Sequence, residues 1–233
     1  GKLHVHSGCG NLGTYSYAAT ARAAAEALGG SWENMVIERG DSRKGLPFVL
    51  GQFGSNSTYT QTRTNWAAGM DAKAKLQEIA AKDLGGAPGD YDTTDGKVFN
   101  KANPSKSMSW AQAAKRAIEL GGKYSGKEMP KDINPITKWA TASIAGTGLV
   151  GVTKDKRPKK GVTPGLVTAF VKIEVDTETG KVEVLDHVEI ADCGTAVHPA
   201  SLATQIKGGA VMGYGMALSE RYVFDPKLGM SFN

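Results

Sequence analysis

The sequence predicts an α+β fold in which helices pack on mixed β-sheets. Alanine-rich or amphipathic stretches of helical length alternate with short β-branched runs. Pairs of glycines follow these stretches at helix stop positions. Towards the C-terminal end, two β-branched runs flank a short turn. A length of 233 residues, 40% of them hydrophobic, suits one large or two small globular domains.

The first predicted unit is a strand, a glycine-rich turn, a helix and a second strand. Residues 2–6 alternate as a short strand, and the turn 8–13 follows. Alanine is the best helix former, so 17–28 predicts a helix that ends at the next glycines. Residues 33–38 predict the second strand. The turn matches G-x-G-x-x-G, but its spacer is too long for a dinucleotide-binding turn and the expected acidic residue is missing.

The second predicted unit repeats this order. Segment 51–64 is crowded with hydroxyl and amide side chains, and we expect a loop. A long helix is predicted over 65–84, with apolar residues at Ala68, Ala72, Leu76, Ile79 and Leu84. We expect turns and a hairpin over 87–108, and then a helix that Ser109 caps and that runs to Leu120.

The remainder predicts an extended stretch, a hairpin and a helix. Residues 121–165 are rich in Gly, Pro and Lys, which indicates an extended excursion. The runs 167–175 and 182–190 predict the two hairpin strands, and 201–218 predicts a helix of small residues. The expected organisation is therefore a first part over 1–120, a linker over 121–165, and a hairpin with a helix over 166–233.

Charge and cysteine content exclude several functions. The net charge is +5, and its one basic cluster, 154–160, has no interleaved aromatic residues, so we expect no nucleic-acid binding. Two cysteines cannot supply the four thiolates of an iron–sulfur cluster. No apolar run has the length of a transmembrane helix, and the first residues read as a strand rather than a secretion signal. We expect a cytoplasmic protein, with a periplasmic or membrane-associated complex as the alternative.

Two glycine- and hydroxyl-containing segments precede helices, at 10–16 and 54–61. Free backbone N–H groups and the helix dipole favour an anion at such places, often a phosphate. Their hydroxyl and amide side chains both donate and accept hydrogen bonds, which suits a ligand edged with ring nitrogens and carbonyls. His4 and His6 share a strand face, but two strand histidines are usually inert, so no metal ligand is predicted.

Three stretches together resemble one enzyme family. They are GNLGTYSYAATARAAAEALGG at 10–30, GSNSTYTQTRTNWAAGMDAKAKLQEIAA at 54–81, and the stretch 171–220. The last contains V-D-x-x-T-G, then D-x-G-x-x-x-H-P, then Q-I-x-G-G-x-x-x-G-x-x-x-A-L-x-E. In this order they resemble the molybdopterin-binding large subunit of xanthine oxidase/aldehyde oxidase-type molybdenum hydroxylases. The resemblance implies two molybdopterin-binding-type subdomains in a chain that is incomplete relative to the family.

The resemblance also assigns the residues that would bind the cofactor. The first segment would approach the pterin, the second would bind the phosphate or nucleotide part, and the opening residue of the Q-I-x-G-G block would contact the pterin. These residues are Gly13, Thr14, Tyr15 and Ser16, then Asn56, Ser57, Thr58, Tyr59 and Gln61, and finally Gln205. Many relatives carry a Gln near position 14 that contacts the molybdenum oxo group, and Thr14 departs from that pattern. The family's catalytic Glu is expected beyond Asn233, so no catalytic residue is assigned.

The implied function is oxidation of an aldehyde, an N-heterocycle or a similar carbon centre, with water as the oxygen source. The implied cofactor is molybdopterin with molybdenum, with the cytosine dinucleotide as one form that the resemblance allows. The resemblance also implies 2Fe–2S clusters and a flavin or haem on partner subunits. The implied partners are the rest of the molybdopterin-binding subunit, an iron–sulfur subunit and a flavin or cytochrome subunit. Two alternatives stay open: a relative of carbon monoxide dehydrogenase, whose copper-binding cysteine loop would lie outside this sequence, and a non-catalytic cofactor carrier.

Overall fold

The computed structural model describes residues 1–155 and 164–232 and divides the chain into two compact units. The first unit is Gly1–Pro158 and the second is Lys159–Asn233. The basic cluster 154–160 lies outside the described residues from position 156 onward. The segment 121–155, predicted as an extended linker, lies within the first unit.

The first unit opens with the predicted strand, turn, helix and strand, and this order is confirmed. Strands β1 (Leu3–His6) and β2 (Met35–Glu38) are parallel neighbours, and helix α1 (Ser16–Leu28) connects them. The helix ends at Gly29, whose φ of 62° is a left-handed conformation that glycine adopts without a Cβ clash. Val5 of β1 packs with the alanines of α1, so the short sheet is covered on that face.

Helix α2 (Ser57–Leu84) begins eight residues before the predicted start, so the expectation of a loop up to residue 64 was wrong. The hydroxyl residues of its first turns bond back to the helix backbone. Thr60 Oγ1 donates to Asn56 O at 2.9 Å, and Thr64 Oγ1 donates to Gln61 O at 3.1 Å. Threonine side chains that bond to their own helix backbone are tolerated in a helix. The polar composition of this segment was therefore not sufficient reason to predict a loop.

The main core lies where α1 and α2 meet a small antiparallel sheet and a third helix. The sheet order is β3 (Tyr91–Thr94), β4 (Lys97–Asn100) and β5 (Ser107–Ser109), as the predicted hairpin region suggested. Helix α3 (Trp110–Leu120) follows, and its predicted cap is confirmed, since Ser109 Oγ accepts from Gln112 N at 3.2 Å. The largest buried members of this core are Leu28, Leu76, Ile79, Tyr91, Val98 and Trp110.

The segment predicted as an extended excursion contains a helix, α4 (Pro135–Ile144), so that expectation was wrong over these residues. Pro135 occupies the first helical position, where its missing N–H has no intrahelical partner to lose. Asn134 caps the helix by accepting from Ile136 N at 2.8 Å. Further on, Val150 O accepts a hydrogen bond of 2.8 Å from the buried Nζ of Lys75, which fixes this segment on α2.

The carboxylate of Glu78, on α2, is expected to make the stability of the first unit sensitive to acid. Burial by itself would raise the pKa of Glu78, but hydrogen bonds from Lys123 and Tyr124 outweigh it, so its pKa lies below the ordinary value. A lowered folded-state pKa adds stability above the unfolded pKa, and this stability is lost as pH falls through the folded pKa. We expect Glu78→Gln to lose about 1 kcal/mol of this stability at pH 7 and to show a shallower loss below pH 5. Urea titrations at pH 7 and pH 4 check this, and an unchanged pH dependence would contradict it.

The second unit is a long hairpin with one helix. Strands β6 (Leu166–Val175) and β7 (Val182–Asp192) are antiparallel, and helix α5 (Pro199–Leu218) contacts β7, as predicted apart from small shifts at the ends. Much of its apolar surface is exposed, including Leu166, Phe170, Ile173, Ile190, Val211 and Met212. Among the described residues, no helix combines the length and apolar character needed to cross a bilayer.

Candidate functional site

The N-termini of α1 and α2 lie at the same end of the helix pair. Gly69 of α2 packs against Ala24 and Ala27 near the C-terminal end of α1, because a Cβ at Gly69 would lie 2.8 Å from Ala27 Cβ. At the other end, Gln52, just before α2, donates from Nε2 to Ser16 Oγ of the first turn of α1 at 2.6 Å. The contacts follow the same order along both helices, so the two helices run in the same direction and their dipoles point the same way.

Both of these N-termini lack a side-chain cap. The side chains of Tyr15 before α1 and Asn56 before α2 accept no hydrogen bond from a backbone N–H group of the helix that follows. By contrast, the N-termini of α3, α4 and α5 are capped by the side chains of Ser109, Asn134 and His198. The first N–H groups of a helix have no intrahelical partner, so a ligand with acceptor atoms can use them where no side chain does.

The backbone before each of these helices takes an uncommon conformation. Tyr15 and Ser55 both have φ of 53°, and within residues 1–155 and 164–232 they are the non-glycine residues with positive φ. Left-handed residues with a Cβ carry a small strain that surrounding structure must hold, and such residues often occur at binding sites. Nearby Gly13 and Gly54 also have positive φ, and no atom lies within 4 Å of where their Cβ would be. Space therefore remains beside both segments.

In the first segment, the side chain of Asn11 holds the backbone of the turn through two hydrogen bonds. Asn11 Oδ1 accepts from Gly13 N at 3.0 Å and from Tyr15 N at 3.3 Å. Thr14 Oγ1 donates to Ser16 Oγ at 3.4 Å, and Ser16 itself is buried. Tyr15 is 59% exposed, so its side chain is available to a ligand. The sequence reading did not single out Asn11, although its amide is the natural acceptor for a turn of this kind.

The second predicted segment forms the start of α2. The Asn56 amide donates to the carbonyl of Phe53, and Ser57 and Thr58 occupy the first turn of the helix. Half-buried Gln61 follows one turn later. Tyr59 packs under the guanidinium of Arg63, which lies 5.5 Å from the ring centroid. The predicted cofactor-binding residues of both segments are thus near the N-termini of two helices that run in the same direction.

A cleft of about 570 Å³ opens beside the second segment. Tyr59 and Thr60 of α2 line one side, and Asn134 and Thr137 at the start of α4 line another. Two charged side chains that line the cleft form an ion pair with each other, in which Arg63 Nε donates to Asp155 Oδ2 at 2.8 Å. Sequence analysis missed this cleft because it treated the region that contains α4 as an extended linker.

Gln205 lies on the second turn of α5 in the second unit, with an exposed side chain. A polar cluster missed by the sequence analysis holds this helix on the hairpin. The Tyr214 hydroxyl and His187 Nδ1 share a hydrogen bond, and His187 Nε2 lies 3.5 Å from Glu189 Oε2. The assignment of Gln205 to the cofactor stays a prediction.

His4 and His6, the two histidines of β1, have no cluster of metal-ligating side chains around them among the described residues. His4 Nδ1 lies 3.2 Å from Glu38 Oε1, and burial lowers the pKa of His6. In the part of the chain that the structure describes, no three His, Cys, Asp or Glu side chains come together in a way that could hold a metal ion. Both cysteines are free thiols, with Cys9 buried and Cys193 exposed.

Known proteins resemble this chain along its whole length. The family model described as the molybdopterin cofactor-binding domain matches residues 1–233. The chain is 27% identical over 233 residues to the aldehyde oxidoreductase molybdenum-binding subunit PaoC of Escherichia coli (strain K12), covering 100% of this chain and 27% of that protein. It is 27% identical over 221 residues to the carbon monoxide dehydrogenase large chain of Hydrogenophaga pseudoflava, covering 95% of this chain and 24% of that protein.

Solved structures share the fold. Quinoline 2-oxidoreductase from Pseudomonas putida 86 superposes with a TM-score of 0.72 at 21% identity, over 97% of this chain and 26% of that one. The chain thus spans about a quarter of the length of the relatives that it matches. Because the family model covers every residue, the chain belongs to the molybdopterin cofactor-binding domain family, within the molybdopterin-binding subunits of molybdenum hydroxylases.

Proposed function

We propose that the first unit binds the phosphate-bearing end of molybdopterin at the paired N-termini of α1 and α2. The observation that carries the proposal is that these two parallel helices are uncapped, while the other three described α-helices have side-chain caps. An anion at a helix N-terminus gains about 0.3–1 kcal/mol from the dipole, and we propose that both N-termini act on the same charge. Hydrogen bonds to a charged group add about 1.5–3 kcal/mol each.

The residues present fit such a group. Open space beside Gly13 and Gly54 lets a ligand approach the backbone, and the left-handed Tyr15 and Ser55 turn the chain there. The hydroxyls and amides around them offer donors and acceptors for the ring nitrogens, carbonyls and phosphate of a pterin. We assign binding to Gly13, Thr14, Tyr15, Ser16, Asn56, Ser57, Thr58, Tyr59 and Gln61 in the first unit, with Gln205 in the second.

When bound, the molybdenum cofactor would supply the redox centre for hydroxylation of a carbon atom with oxygen from water. The residues of this chain would orient the group and satisfy its polar edge. These residues contribute positioning, and we assign the proton-accepting base to none of them. The substrate class is an aldehyde, an N-heterocycle or a similar carbon centre.

The second unit supports a larger assembly. Its hairpin and helix expose many large apolar side chains, such as Phe170 at 65% and Ile190 at 63%. Apolar surface on this scale is commonly covered by other polypeptide. We propose that it packs against the remainder of a molybdopterin-binding subunit, in a cytoplasmic complex whose partners carry 2Fe–2S clusters and a flavin or haem. The cytosine dinucleotide is the proposed form of the pterin.

The similarity to a carbon monoxide dehydrogenase large chain supports a second candidate, oxidation of carbon monoxide. Metal analysis of the purified holoenzyme separates the two. Copper in equal amount with molybdenum, together with oxidation of carbon monoxide, supports the second candidate. Molybdenum without copper, together with oxidation of aldehydes or N-heterocycles, supports the first. Molybdenum without turnover of either class points to a cofactor carrier.

The binding proposal predicts the effect of removing two hydroxyls from the first turn of α2. We expect Ser57→Val with Thr58→Val to lower the pterin content of the holoenzyme by tenfold or more, because one lost hydrogen bond to a charged group costs about 1.5–3 kcal/mol. Thr93→Val is the control, since Thr93 Oγ1 is buried without a hydrogen-bond partner. Pterin fluorescence and molybdenum content report the result. Wild-type loading in the double variant would rule out this segment as the binding site.

A further inference from the structure

A short segment before α2, the strap at residues 47–52, runs across the glycine-rich turn of the first segment. A Cβ on Gly8 would overlap the carbonyl oxygen of Pro47, and a Cβ on Gly10 would lie 3.2 Å from Gln52 Oε1. The strap therefore touches the turn at two points, and only glycine fits under Pro47.

The last residue of the strap joins the two cofactor segments by a single side chain. Gln52 Nε2 donates to Ser16 Oγ at 2.6 Å, while its Oε1 lies over Gly10. Ser16 is buried, and its Oγ also accepts from Thr14 Oγ1 at 3.4 Å. Thr20 Oγ1 donates to the Ser16 carbonyl oxygen at 2.8 Å. Ser16 thus connects the first turn of α1 to the strap through its hydrogen bonds.

We propose that Gln52 is a positioning residue that sets the spacing between the two cofactor-binding segments. Acting through Ser16, it holds the left-handed turn at Tyr15 and the backbone of Gly13 in place relative to the start of α2. The cofactor part of this inference rests on the proposed function. Gln52 acts indirectly, because both ends of its amide face the first segment.

A matched glutamine separates positioning from ordinary stabilisation. Gln77 Nε2 donates to Tyr91 O at 2.7 Å, so it makes one amide hydrogen bond on α2 at the core sheet. Replacing either glutamine by leucine removes one such bond with little change in volume. The two variants are expected to lose similar thermal stability. If only Gln52→Leu changes the dynamics of the first segment, that change reflects a positioning role of Gln52 rather than a general loss of stability.

The decisive measurement is amide hydrogen exchange in the complete enzyme complex without its cofactor. We expect Gln52→Leu to speed exchange of residues 13–20 by about tenfold, which corresponds to about 1.4 kcal/mol, and Gln77→Leu to leave these residues unchanged. Gln52→Glu should restore the protection, because its carboxylate accepts a hydrogen bond from the Ser16 hydroxyl. Unchanged exchange in folded Gln52→Leu, or equal acceleration in both leucine variants, would overturn the proposal.

Loading with molybdopterin then tests the consequence for binding. We expect Gln52→Leu to release pterin about tenfold faster than wild type, Ser16→Ala to release it at least as fast as Gln52→Leu, and the double variant to be no worse than Ser16→Ala. Additive losses would mean that Gln52 contacts the ligand itself, which contradicts an indirect role. If the wild-type protein holds no pterin, the proposed function fails, while the exchange result still decides whether Gln52 positions the first segment.

Discussion

Replacing Thr58 by Asp is expected to lower molybdopterin retention by about a hundredfold while leaving the apo protein as stable or slightly more so. Thr58 lies in the uncapped first turn of α2, where a carboxylate interacts favourably with the helix dipole, by about 0.3–1 kcal/mol. The same charge about 5 Å from a bound phosphate costs about 3 kcal/mol at an effective dielectric constant of about 20. The two effects have opposite signs, which is the mark of an anion site.

A second carboxylate at a capped helix provides the comparison. Gln112→Glu adds the same charge to the first turn of α3, where Ser109 already caps the helix. We expect it to leave pterin retention unchanged. Molybdenum and pterin content, measured beside thermal unfolding of the apo form at low and high salt, checks both variants. Equal retention in the two variants would show that no anion binds at α2.

Local signals in the sequence predicted most elements of both units. Glycine after α1, Ser109 before α3 and the turn at 176–180 between β6 and β7 each have a local physical cause, so pattern reading identified them. Errors arose where one residue type has two uses. Threonines at the start of α2 bond back to their own helix, and Pro135 begins α4 instead of breaking it.

The candidate site was only partly predictable for a different reason. The sequence indicated two polar segments before two helices, but parallel packing of those helices depends on Gly69 meeting Ala24 and Ala27. Nor did composition separate glycines with different uses. Gly8 and Gly10 lie under the strap, whereas Gly13 and Gly54 border open space. Gln52 belongs to the predicted polar segment, yet its contact with Ser16 spans 36 residues and needs the tertiary structure.

Gly69 is the position where one substitution should affect both fold and site. A Cβ there would lie 2.8 Å from Ala27 Cβ, 2.9 Å from Ala24 O and 3.1 Å from Ala24 Cα. Two of these atoms are backbone, so the helices would have to separate rather than adjust a side chain. We expect Gly69→Val to lower the free energy of unfolding by about 3 kcal/mol, at the upper end of overpacking costs.

Met70→Val is the matched control, because it places the same β-branched residue in the same helix at a position that is 42% exposed. We expect it to cost less than about 1 kcal/mol. Since separation of α1 and α2 also moves the two uncapped N-termini apart, Gly69→Val should weaken pterin retention in protein that is still folded at low temperature. Urea unfolding and pterin content of both variants test this. Retention equal to that of Met70→Val would show that the two N-termini do not act on one ligand.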